Sequence, residues 1–362
     1  MSAWRDFDKT LLAIALLIFT LGLVFLLSAT SLRNHDLDFT FVSKQLFSFA
    51  AAFALLVVIV NIDYQKFLDA SWVLYIINIA ALILLLFIGR SRLGAQRWFA
   101  FGTFTVQPSE FIKVVFILTL ASYLSGKRHS LGRLENLVIP FLICAIPFLL
   151  VLVQPDLGTA LLLGPVLFTM LYVSGADWRH LASVAALGAA ATPLFWHILK
   201  DYQRQRLMVF MNPNIDPLGA GYTIIQSKIA VGSGGLFGKG WLAGTQNQLN
   251  FLPERHTDFI FSVVGEEWGF FGSAILLLLY FILIRRIFRI ASLTSNMGGK
   301  AIAAGVGTLL ASQVVINIAM TIGLMPVVGI PLVLVSYGGS SLVATFAAIA
   351  LVLSVGMRRS TF

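Results

Sequence analysis

Between Thr10 and Thr30 the chain runs 21 residues without a charged side chain. A bilayer core of about 30 Å takes roughly 20 helical residues to cross, so this stretch constrains the fold more than any motif. Nine further apolar stretches follow, at about 45–62, 70–89, 108–126, 136–153, 157–176, 180–199, 266–284, 302–323 and 340–357. Lipid offers no partner to an exposed N–H or C=O, so each span is expected to be helical. The first span is too long for the apolar part of a signal peptide and lacks a small-residue cleavage site, which makes it a retained helix. The expected fold class is all-α: a polytopic integral membrane protein of about ten transmembrane helices, with residues 1–362 forming one membrane domain.

Composition agrees. Hydrophobic residues make up 58% and charged residues 11% of the chain, against about 45–50% and 25% for a soluble domain. A soluble enzyme, a disordered chain and a disulfide scaffold are excluded, the last also because Cys144 is the sole cysteine.

Orientation follows from Lys and Arg in short loops. With the N-terminus inside, the inner set holds thirteen: Arg5, Lys9, Lys66, Lys127, Arg128, Arg133, Arg179, Arg285, Arg286, Arg289, Lys300, Arg358 and Arg359. The outer short loops hold five: Arg33, Lys44, Arg90, Arg92 and Arg97. Both termini are therefore expected on the inner side of the membrane. The net charge of +9 reflects this asymmetry and gives no reason to invoke nucleic acid. The Arg90–Arg97 cluster runs against the rule, as an outer site for an anion would.

One connection is long, residues 200–265 between the seventh and eighth spans. Its aromatic and aliphatic residues (Tyr222, Ile224, Trp241, Phe251 among them) argue for re-entrant, half-buried pieces over a free loop. Gly232, Gly234, Gly235, Gly238 and Gly240 suggest a phosphate-binding loop, but Ser233 occupies the position of that motif's first glycine and Gly240 that of its Ser/Thr. Tight approach of backbone to backbone is the simpler reading.

Ionisable groups at the edges of apolar spans are functional candidates by default. Glu110 and Lys113 open the fourth span at i,i+3, either as a structural ion pair or as the wall of a polar cavity. Asp156, after Pro155, suits a helix N-terminus. Asp258 precedes Phe259, Ile260 and Phe261 where the long segment re-enters the membrane. Poor hydration there would raise its pKa and poise it as a general base, although a helix-capping role fits the spacing as well. His256 reads as a packing partner. Arg204, Arg206, Lys228, Lys239 and Arg255 give the segment an excess of cations suited to phosphate or pyrophosphate. Arg204 and Arg206 would share a face on a strand but not on a helix. No His, Cys or Asp spacing marks a metal site.

Five separated segments resemble the SEDS family of bacterial envelope proteins (shape, elongation, division, sporulation). They are GAQRWFAFGTFTVQPSE at 94–110, QPDLGT at 154–159, DYQRQR at 201–206, PLGAGYTIIQSKIAVGSGGLFGKGW at 217–241 and FLPERHTDFIFSVVGEEWG at 251–269. A terminal signature of Asn317, Gly323, Pro326, Gly329 and SYGGSS at 336–341 follows, with Val333 where the family usually has proline. The long segment looks like the family's elongation branch.

The resemblance implies a peptidoglycan glycosyltransferase that polymerises lipid II at the outer face during elongation and rod-shape maintenance, with a class B penicillin-binding protein as transpeptidase partner. It implies Asp258 as the essential aspartate, agreeing with the residue singled out above, and maps the family's paired Glu and Lys onto Glu110 and Lys113 and its QPDLGT aspartate onto Asp156. The expected reaction is one inverting displacement: the acceptor GlcNAc 4-hydroxyl attacks the donor MurNAc anomeric carbon and undecaprenyl pyrophosphate leaves. Unlike glycoside hydrolysis, it needs no carboxylic acid to protonate the leaving group. Asp258 is then the base. Arg97, Arg204, Arg206, Lys228, Lys239, Asp156 and the Glu110–Lys113 pair are candidates for substrate binding. No cofactor is implied, though a divalent ion on the pyrophosphate is chemically compatible. Two other readings stand beside it: a lipid II flippase, which calls for inverted repeats, and a non-catalytic scaffold for the transpeptidase.

Overall fold

The computed structural model describes residues 6–31, 37–88, 90–92, 95–101, 104–126, 134–198, 201–217 and 219–358. Of the orientation residues, Arg5, Arg33, Lys127, Arg128, Arg133 and Arg359 lie outside them. The chain is a helical bundle: α1 (Lys9–Thr30), α2 (Thr40–Asn61), α3 (Tyr64–Ile88), α4 (Pro108–Ser125), α5 (Val138–Val153), α6 (Leu157–Val173), α7 (Trp178–Ile198), α8 (Asp201–Met211), α9 (Ala220–Ser233), α10 (Thr245–Gln248), α11 (Ile260–Leu293), α12 (Met297–Thr321) and α13 (Gly339–Met357). Each expected span falls on a helix, and seven described helices are by themselves long and apolar enough to cross a membrane.

Two features depart from expectation. A three-stranded antiparallel sheet, β1 (Arg90–Arg92), β2 (Ala95–Phe101) and β3 (Phe104–Val106), joins α3 to α4. Its alternating pattern is too short to stand out beside the spans. The eighth span also begins six residues before position 266, at Ile260, and runs to Leu293.

Burial ranks the helices. α4, α12 and α13 are mostly enclosed, whereas α2, α3 and α5 present Phe47, Val58, Ile76, Phe87 and Leu149 outward, as a lipid-facing surface does. α12 packs against α4, α6, α11 and α13. Lipid supplies no hydrophobic drive between helices, so close backbone approach matters. Gly305 of α12 admits Met170 and Ile117, and Gly22 of α1 lies against the backbone of Leu334 and Val335.

α11 is broken at Gly269, whose φ of 64° and ψ of −157° are not helical. In an unbroken helix Phe270 and Phe271 would donate to the carbonyls of Glu266 and Glu267. Instead Phe270 N donates to Gly235 O (2.9 Å) and Phe271 N to Leu236 O (3.1 Å). The released Glu266 and Glu267 carbonyls accept from Lys239 N and Gly240 N, each at 3.0 Å. The glycine-rich loop is thus the partner that satisfies the broken helix. Gly238, at φ 80°, has no room for a Cβ beside the Glu267 carbonyl. Gly238→Ala should cost about 1–3 kcal/mol from the backbone conformation alone, with the clash adding to it. Gly232→Ala, whose Cβ meets open space, should melt like wild type in detergent, and equal melting of both variants would contradict this account.

Candidate active site

Asp258 lies on the last turn before α11. Its own N–H and those of Thr257 and Phe259 all donate to Glu254 O (3.1, 3.1 and 3.3 Å), which rolls the chain into a compact turn with Glu254 in the left-handed region at φ 49°. Three outside groups hold this turn. Asn317, buried in α12, donates from Nδ2 to Asp258 O (2.9 Å) and Ile330 O (2.6 Å). Ser336 donates its hydroxyl to Thr257 O. Tyr337 N donates to His256 O (2.9 Å). Gln45, a buried amide on α2, donates to Ser336 O (3.2 Å) and accepts from Gly338 N (3.2 Å). The non-helical stretch 322–338 therefore acts as a bracket between α2, α12 and the Asp258 turn. Gly329, at φ 74°, backs directly onto the carboxylate: a Cβ there would stand 3.4 Å from Asp258 Oδ2.

The Asp258 side chain is partly buried yet still reaches solvent. Burial, reinforced by the Glu254 carboxylate, pushes its carboxyl up to about 7 against the opposing pull of Arg206 and Arg97. Those two arginines and Asp156 are close enough to bear on its charge, so four residues singled out in separate sequence motifs meet here. Arg97 Nε donates to Gln154 O (3.0 Å) and its Nη2 to Pro155 O, at the break between α5 and α6. Arg206 Nη1 donates to Val327 O (3.0 Å). α8 is helical, so Arg204 and Arg206 do not share a face.

Asp156 is buried and caps α6 through Thr159 N (3.2 Å) and Oγ1 (2.9 Å), while also accepting from Ser109 Oγ (3.0 Å) and Gln107 Nε2 (3.3 Å). It thereby ties α6 to the start of α4. One residue past Ser109, Glu110 pairs with Lys113 at 2.8 Å, both buried.

The remaining cations lie elsewhere. Lys239 Nζ pairs with the buried Glu266 at 2.8 Å, and the same carboxylate accepts from Thr245 Oγ1 (3.1 Å), Gln246 N (3.0 Å) and Asn247 N (3.4 Å) at the first turn of α10. Lys239 thus neutralises an internal charge. Exposed Lys228 lays its stem on Gly323 at the end of α12. His256 packs its ring on Phe41 at 4.8 Å. Among the described residues no three His, Cys, Asp or Glu side chains converge to hold a metal. The holders Gln45, Asn317 and Ser336 carry no charge. Their sequence signal is a polar side chain beside or within an apolar span.

A family model described as FtsW/RodA/SpoVE, cell cycle protein, matches residues 8–361. The chain is 42% identical over 353 residues to the peptidoglycan glycosyltransferase MrdB of Escherichia coli strain K12, covering 97% of this chain and 94% of that one. Two solved structures resemble it closely. One, described as structural coordination of polymerization and crosslinking by a peptidoglycan synthase complex, matches at a TM-score of 0.84 and 35% identity over 98% of this chain and 99% of the other. The other, the rod shape determining protein RodA of Thermus thermophilus, matches at a TM-score of 0.75 and 32% identity over 99% of both.

Removing one member of the Glu110–Lys113 pair should destabilise the protein by about 3–5 kcal/mol, because the other is left charged and buried. Glu110→Met together with Lys113→Met should recover most of that in a melting assay. A double variant no more stable than either single would show that the pair does more than neutralise itself.

Proposed function

The chain belongs to the FtsW/RodA/SpoVE family, and from that premise we infer that it is a multi-pass membrane glycosyltransferase that polymerises peptidoglycan. Its substrate is lipid II as donor and acceptor, and Asp258 is the general base. The observation that carries this reading is the carboxylate of Asp258 on a turn fixed by Asn317, Ser336 and Tyr337, with Arg97 and Arg206 near enough to bear on its charge. We place both termini in the cytoplasm and residues 200–259 at the outer face, on the Lys/Arg asymmetry of the short loops.

In the proposed reaction the acceptor 4-hydroxyl gives its proton to an Asp258 oxygen as its oxygen forms the bond to the donor's anomeric carbon. The bond from that carbon to phosphate breaks, and undecaprenyl pyrophosphate departs with the electron pair. Arg97 and Arg206 stabilise the developing diphosphate charge. Asn317 and Ser336 hold the turn so that the carboxylate meets the hydroxyl without reorganising. Glu110, Lys113 and Asp156 shape the neighbouring wall. Arg204 and Lys228 are candidate contacts along the substrate's path, and Lys239 acts through the loop it anchors. A class B penicillin-binding protein as partner is supported by the similarity to a chain from a peptidoglycan synthase complex.

Asp258→Ala should lower the rate of lipid II polymerisation by about 10²–10⁴-fold while leaving a folded protein. Wild-type activity from that variant would end the assignment. A base with a pKa of about 7 is ionised only above it, so kcat/KM should climb with pH through 7 and then level off. Stability runs the other way. The raised pKa means the folded state binds the proton more tightly than the unfolded one, so ionisation costs stability progressively from about pH 4 to 7. Asp258→Asn should therefore melt above wild type at pH 8, a difference that narrows towards pH 4.

A further inference from the structure

The turn that carries Asp258 also walls a cavity of about 300 Å³ between the ends of α1 and α2 and the segment 250–256. We propose that this cavity is a carbohydrate subsite, which seats one uncharged N-acetylhexosamine of the acceptor strand next to the base. The proposal rests on the glycosyl-transfer reading above and adds a place for the sugar to it.

Size is the first argument. The cavity lies at the small end of ligand pockets, about 300–1,000 Å³, which suits one sugar ring and its substituent and not a lipid-linked disaccharide. Chemistry is the second. Thr30, Asn250, Glu254 and Arg255 supply polar walls, and Phe41 and Leu252 supply apolar ones. A pyranose has the same division, with hydroxyls at its edge and C–H groups on its faces.

Charge is the third. Among the described lining residues Arg255 is the one Lys or Arg, and its guanidinium already donates to Ala29 O and Asn250 Oδ1. Glu254 beside it offsets the charge. Arg97 and Arg206, which bear on Asp258, are not among the described residues of these walls. The described walls are thus matched to a neutral polar group.

The cavity is also preformed. Asn250 and Glu254 both adopt left-handed backbone, φ 58° and 49°, a conformation of order 1 kcal/mol or more above the usual regions for such residues. The Phe41 ring is braced by His256 at 4.8 Å and, edge-on, by Tyr337 at 5.0 Å. The Glu254 carbonyl that organises the Asp258 turn belongs to the same wall. A sugar seated against Glu254 therefore lies one turn of chain from the carboxylate.

The test titrates the full-length chain in detergent micelles with a soluble β-1,4-linked N-acetylglucosamine tetrasaccharide, followed by saturation-transfer NMR. Wild type should bind saturably. Phe41→Ala, and Asn250→Gly, which keeps the left-handed backbone, should each bind about tenfold more weakly. With lipid II, Phe41→Ala should raise KM more than it lowers kcat. Where Phe41→Ala fails to fold, Phe41→Leu keeps the bulk without the ring and should still weaken binding. No saturable binding to wild type, or equal affinity in folded Phe41 variants, overturns the subsite. Asp258→Asn separates the two readings: it should bind the tetrasaccharide like wild type. If it also polymerises normally, the base assignment fails while Phe41-dependent binding leaves the subsite standing.

Discussion

A helix in lipid cannot leave a backbone hydrogen bond unmade, because each orphaned group costs several kcal/mol with no water to take it up. The break at Gly269 is therefore the feature on which the loop end of this molecule depends. Two helical bonds are given up there, and four bonds to the segment 235–240 replace them. The same exchange seats the glycine-rich loop on α11 and brings Lys239 to Glu266. Through that carboxylate it starts α10. One local irregularity thus organises the long connection from Gly235 through α10, and the first turns of α11 lead straight back to Asp258.

The turn that carries Asp258 is held by a different means. Asn317, Ser336 and, behind it, Gln45 are neutral, and each spends its hydrogen bonds on backbone carbonyls and amides. Neutral holders leave the electrostatics of the carboxylate to burial, Glu254, Asp156 and the two arginines. A charged holder would have pulled the pKa away from the range in which a base is useful. With Asp258 ionised the fold is correspondingly less stable, a cost carried by the bracket around it.

Much of the candidate site is legible in the amino-acid order. Asp258 stands out because an acid before Phe259, Ile260 and Phe261 must lose water. Asp156 fits a helix start after Pro155, and it caps α6. The glycine-rich stretch reads as a place of close backbone approach, and at Gly234 and Gly238 it is one. The cations are less legible. Charge counting cannot separate Arg206, which bears on the carboxylate, from Lys239, which a buried glutamate consumes. Arg204 and Arg206 are told apart only by the helical geometry of α8. Gln45 gives only a weak signal, since one amide at the edge of an apolar span has many innocuous explanations.

The sequence by itself determined that the chain is a multi-pass membrane protein and which stretches are apolar enough to span the bilayer, and it singled out the acid that stands before an apolar run. Those properties depend on transfer from water to hydrocarbon, and transfer is additive along the chain. Only the tertiary structure decided which cations accompany that acid, which ones are spent on internal charges, and how the terminal bracket reaches α2. Those choices depend on contacts between residues far apart in the chain, such as Gln45 and Ser336 with 291 positions between them. No local pattern encodes such a pairing, because hydrogen-bond geometry exists only after the helices have packed.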